Sequence, residues 1–111
     1  MSRESLGELE QLLMLAVARL GADAYGAEIQ RELEELASRS LTISTIYVTL
    51  VRLEKKGYVR SARGEPRPIR GGKAKRCFRL TPRGVRVLEE SRIVLERMWN
   101  GVDVSADPEM H

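Results

Sequence analysis

Residues 44–63 read STIYVTLVRLEKKGYVRSAR. Ile46, Tyr47, Leu50, Val51 and Leu53 recur at helical spacing as far as Gly57, and Tyr58-Val-Arg-Ser-Ala-Arg63 then alternates with a period of two. A helix is therefore expected from Ser44, as N-cap, to Lys56, followed directly by a strand. Upstream, Leu41-Thr42-Ile43 reads as a short extended segment, and Ser38, Arg39 and Ser40 close a second helix carrying Tyr25, Ile29, Leu33 and Leu36. The first helix carries Leu9, Leu12, Leu13, Ala16, Val17 and Leu20 and ends at Gly21. Ser5-Leu-Gly-Glu8, with the spacing of a capping box, marks its start. Met14 and Leu15 widen its stripe beyond one core-facing side, which predicts a second burial surface.

Downstream, Lys75-Arg-Cys-Phe-Arg-Leu80 is a second strand-length segment. The loop 64–74 before it holds two Pro, three Gly and three basic residues, too polar and turn-prone to join a core. Thr81-Pro82 pairs an N-cap with proline at the first helical position, so a last helix is expected from Pro82 to about Asn100, stopped by Gly101. In it Leu88, Leu95 and Val102 repeat every seven residues, with Val87, Val94, Met98 and Trp99 adding apolar surface. The order helix, helix, short strand, helix, strand, basic loop, strand, helix is that of an α+β, mainly α, winged helix-turn-helix. Residues 1–81 form the winged unit, 82–101 the C-terminal helix in the same compact body, and 102–111 an expected disordered tail.

At 111 residues the chain has room for one core, and 42% hydrophobic residues suffice to build it. The longest apolar run, Leu12 to Ala18, falls well short of the roughly 20 residues needed to cross a bilayer. The start of the chain carries acids where a secretory signal needs bases, so a cytoplasmic location is expected. A single cysteine, Cys77, and a single histidine, His111, exclude an internal disulfide and a zinc-nucleated fold; neither a metal nor any other cofactor is expected.

Charge is segregated. Residues 1–51 hold 4 basic against 8 acidic side chains and residues 87–111 hold 2 against 6, while residues 52–86 hold 13 against 2. Fifteen of the 19 basic residues are Arg, whose planar fork suits phosphate oxygens and guanine. This is the footprint of a polyanion-binding surface.

In a helix-turn-helix the second helix of the pair enters the major groove near its N-terminus. The candidate reading residues are therefore Ser44, Thr45, Tyr47, Val48, Thr49 and Arg52, including short groups able to approach a thymine methyl. Ser44 has two expected roles, as cap and as phosphate contact. Tyr47 has two readings, a phosphate-contacting hydroxyl or plain core filling. On the wing, Arg67, Arg70, Lys73, Lys75 and Arg76 are expected at the DNA backbone or minor groove, adding affinity more than sequence choice. Lys55 and Lys56 lie where they complement the helix dipole. Cys77 reads as silent packing or as an oxidant-sensing thiol, and it lacks a partner cysteine to resolve a sulfenic acid.

Residues 6–16 (LGELEQLLMLA), Ala24-Tyr-Gly26, Ser44-Thr-Ile-Tyr47 with Leu50, Arg52-Leu-Glu-Lys-Lys-Gly57, residues 71–76 (GGKAKR) and Phe78-Arg-Leu-Thr81 together resemble the PadR family of bacterial transcriptional regulators. The resemblance spans residues 6 to about 101, with Cys77-Phe78 where the family usually has an aromatic pair. It implies a homodimeric repressor on a palindromic promoter site of double-stranded DNA, with a small molecule as any effector. It also implies that the C-terminal helix packs against the partner's first and last helices. Leu9, Leu12, Leu88, Leu95, Met98 and Trp99 then become dimer-interface candidates, and Tyr25 a contact to the DNA backbone. Trp99 resembles the aromatic that some short members place at a central pore for flat ligands; an interface anchor is the other reading.

A rival class is a winged helix serving as a protein-interaction or RNA-contacting module. An enzyme is disfavoured: no nucleophile with a nearby base, no carboxylate pair and no phosphate-cradling glycine motif is recognisable, since Gly71-Gly72 falls in a hairpin tip.

Overall fold

The structure, a computed structural model, describes residues 5–63 and 76–104. Helices α1 (Glu8–Leu20), α2 (Gly26–Ala37) and α3 (Ile43–Lys55) precede an antiparallel hairpin of β1 (Val59–Arg63) and β2 (Arg76–Leu80), and α4 (Pro82–Trp99) follows. This is the winged helix architecture expected from the element order.

The helix starts show local chemistry at work. Helix α1 begins at Glu8 behind Gly7, three residues after Ser5; the carboxylate of Glu10 accepts the Gly7 amide at 3.0 Å, so Ser5 is not the cap. Helix α3 begins at Ile43, two residues earlier than a Ser44 cap allows. Thr42 is its N-cap, accepting the Thr45 amide at 3.1 Å. Thr42 and Ile43 are thus consumed by a helix start, and the extended segment expected at Leu41-Thr42-Ile43 is absent: the Leu41 carbonyl accepts from the Gln30 side chain at 2.7 Å. At α4, Thr81 accepts the Gly84 amide at 3.0 Å and Pro82 opens the helix, as the sequence predicts.

The hairpin pairs Val59 with Leu80 and Ser61 with Phe78. A third-strand contact comes from the residues before α2: Tyr25 bridges Cys77, and the Phe78 amide donates to the Ala24 carbonyl at 3.0 Å. That pairing gathers α1, α2, α3 and the sheet around Leu13, Met14, Ile29, Ile46, Leu50, Leu53 and Phe78, all without exposed surface. Met14 therefore belongs to the core, while Leu15 alone of the two widened positions faces outward. Val87 carries α4 into the same core, but every residue from Arg92 to Asn100 is exposed.

Candidate nucleic-acid interface

Helix α3 divides its surface cleanly. Ile46, Leu50 and Leu53 are buried, whereas Ser44, Thr45, Val48, Arg52 and Lys55 are exposed, and spacings of three and four place them along one outward strip. With Thr42 as the cap, the Ser44 side chain is not committed to the helix end and stands on this strip.

Thr49 does not belong to the strip. It is only 5% exposed, and its hydroxyl donates to the Thr45 carbonyl at 2.9 Å, so it is withdrawn from any groove. The Tyr47 ring is half-buried, 5.9 Å from the Phe78 ring at an interplanar angle of 55°. Its hydroxyl lies against Gly26, where a Cβ would come within 3.0 Å of it, so the ring packs in part between α2 and the sheet while also lining a surface trough beside Val48 and Arg52. Tyr25 is buried, N-caps α2 and bridges Cys77 through its backbone, so only an edge of its side chain faces solvent. Cys77 is half-buried across from Ala62.

Arg76 is engaged within the fold. Its guanidinium lies 3.2 Å from Glu54 on α3 and 2.7 Å from the Ser61 hydroxyl, and sits 5.5 Å from the centre of the Phe78 ring. The other oxygen of Glu54 accepts from the Ser61 amide at 3.1 Å and the Ser61 hydroxyl at 3.0 Å. One carboxylate thus ties α3 to both strands at the root of the hairpin, and Arg76 is engaged there rather than standing free. Arg67, Arg70, Lys73 and Lys75 lie outside the described residues.

The register brings forward two cations that the sequence reading had not singled out. Arg60 and Arg79 are direct cross-strand partners, both exposed on the outer face of the hairpin. Like charges placed opposite each other repel, so an anion docking there would relieve the pair. A register is needed to see this, because alternation alone does not say which residues oppose each other.

Behind α3, Lys56 reaches Glu10 on α1 at 2.8 Å. Burial pushes the Glu10 carboxyl up, but the Lys56 ammonium, the Gly7 amide and the nearby Arg52 charge outweigh it and hold the group below its ordinary value. Lys56 is also the C-cap of α3, in keeping with the dipole reading.

The comparisons with known proteins bear on this geometry. The profile of the transcriptional regulator PadR-like family matches residues 14–90, which takes in most of the core, α2, α3, both strands and the first half of α4. The chain belongs to the PadR-like family. As a PadR-like protein it is a DNA-binding transcriptional regulator and not an enzyme. A PadR family regulator from Eggerthella lenta is similar at 28% identity and a TM-score of 0.64, over 85% of this chain and 81% of that one. A PadR family regulator from Clostridium difficile is similar at 24% identity and a TM-score of 0.63, over 85% and 96% of the two chains. A PadR-like regulator from Bacillus cereus shares the fold at 18% identity and a TM-score of 0.66, over 93% and 91%. No curated protein matches the chain. Among the described residues of this PadR-like chain, no helix is long and apolar enough to cross a membrane.

The expected dimer residues fall into two groups. Leu9, Leu12 and Leu88 are half-buried against the chain's own core, so intramolecular packing already uses much of their surface. Leu95, Met98 and Trp99 are exposed, Met98 at 71%, and with Leu15 they leave an apolar face without a neighbour in the described residues. Gln11, Leu15, Leu88, Leu95 and Trp99 line a hollow between α1 and α4 of about 460 Å³.

Proposed function

We propose that the protein is a homodimeric repressor that covers a palindromic promoter site in the cytoplasm. Residues 1–81 act as the reading unit and 82–101 as the dimerisation helix. The observation that carries this is the strip Ser44, Thr45, Val48 and Arg52: an exposed helix face beside a cationic hairpin, with nothing in the described fold to cover it. Each α3 enters a major groove, and Arg52 is the residue long enough to reach a guanine edge. The hairpin arginines and the wing cations Arg67, Arg70, Lys73 and Lys75 neutralise phosphates. Pairing of two α4 helices through Leu95, Met98 and Trp99 buries the apolar face, with Trp99 as anchor. The hollow between α1 and α4 is large enough for a small-molecule effector.

Selection of bound duplexes from a random pool tests this reading, and a two-fold symmetric consensus is expected. Arg52→Ala should then weaken consensus binding by roughly 1–3 kcal/mol and relax sequence choice. Equal competition by double-stranded RNA at fixed salt would favour an RNA-contacting module instead.

A further inference from the structure

The outward strip of α3 is not polar throughout. Val48 is 58% exposed at its centre, one turn after Ser44 and one turn before Arg52. It lines a shallow trough together with Tyr47, Val51, Arg52 and Lys55. A branched apolar side chain gains nothing from the water it faces and has below-average helix propensity, whereas an apolar partner would cover it favourably. In a B-form major groove, adenine, guanine and cytosine present donors and acceptors at their edges, and thymine alone adds an apolar group, its C5-methyl.

We infer that Val48 packs on the C5-methyl of one thymine in each half-site, while Arg52 reads a neighbouring guanine. This rests on α3 being the groove helix and goes further by fixing part of what that helix reads. Four residues of helix advance about 6 Å, and successive base pairs lie about 3.4 Å apart. With α3 lying along the groove and Arg52 extended, the guanine falls within a few base steps of the thymine in the same half-site. Val48 supplies sequence choice without hydrogen bonding; Arg52 supplies it with a charged fork.

A methyl scan tests the inference with the full chain. The probes are the duplexes recovered from the random pool, resynthesised with each thymine in turn replaced by deoxyuridine, which pairs identically and lacks only the methyl. At one thymine per half-site, binding should fall about fourfold, the worth of one buried methyl group. Val48→Ala, an exposed substitution toward a better helix former, should fold normally and discriminate less between the thymine and uracil duplexes, because the two γ-methyls that reach furthest are gone. Retention of the full discrimination by Val48→Ala would overturn the assignment, as would a scan in which no replacement affects the wild-type protein. If no duplex were bound above random competitor DNA, the regulator reading would fail first, a result distinct from sequence-specific binding that is blind to the methyl.

Discussion

Gly84 occupies the third position of α4, and a Cβ built there would lie 2.0 Å from the Tyr58 carbonyl oxygen. An ordinary carbon–oxygen contact is about 3.3 Å or longer, so Gly84→Ala forces α4 and the start of the hairpin apart by more than about 1 Å. The contact involves backbone on the Tyr58 side, and no side-chain rotation relieves it. Two effects oppose each other. Alanine in place of glycine favours a helix by about 1 kcal/mol. Against this, overpacking costs roughly 1–3 kcal/mol or more, and separation also stretches the 3.0 Å bond from the Thr81 amide to that same carbonyl, worth about 1 kcal/mol. The clash should win. We expect a net loss of about 2 kcal/mol, read as a Tm lowered by on the order of 10 °C and a lower urea midpoint at unchanged m. A Gly84→Ala protein as stable as the wild type, or more so, would refute the close approach of α4 to Tyr58.

Three further outcomes follow from the site. Arg79→Ala should lower the dependence of binding on log salt by about one unit, whereas Arg76→Ala should leave that slope unchanged and lower thermal stability, because Arg76 is spent on Glu54 and Ser61; equal slopes for the two variants would contradict this division. Glu10 has a folded-state pKa below its ordinary 4.5, so its pairing contributes stability at neutral pH and loses it as pH falls through and below that value. Thermal melts across pH should show the gap between wild type and Glu10→Gln closing on acidification, and a gap independent of pH would count against the pairing. Leu95→Glu places a charge on the exposed apolar face without touching the core, so light scattering should report a folded monomer with weakened consensus binding, and a persistent dimer would place the interface elsewhere.

Much of the fold was legible because its signals are local. Thr81-Pro82 marks a helix start by side-chain chemistry alone, and the change from helical to alternating period after Gly57 marks the hairpin. The third sheet segment was misplaced. Leu41-Thr42-Ile43 is rich in β-favouring residues, but Thr42 spends its hydroxyl on capping α3, while the true pairing at Ala24 and Tyr25 is too short for any periodicity to show. Thr49 reads as outward only from its hydroxyl: positions 46, 49, 50 and 53 follow the i, i+3, i+4, i+7 spacing of the buried stripe, and the hydroxyl is satisfied by the Thr45 carbonyl one turn earlier. Arg76 reads as a free cation for another reason: Glu54 lies 22 residues away in the chain, and only the folded register brings them together.

One rung of the hairpin, Ser61 opposite Phe78, has a consequence for the molecule's behaviour in a crowded solution. Both amides of that rung point away from the partner strand, and each is occupied: Ser61 by the Glu54 carboxylate, Phe78 by the Ala24 carbonyl. A two-stranded ribbon ordinarily presents two open margins on which a stray extended chain can template itself. At this middle rung both margins are occupied, one by Glu54 of α3 and the other by Ala24 of the segment before α2, so a stray strand finds no free amide there on which to start pairing.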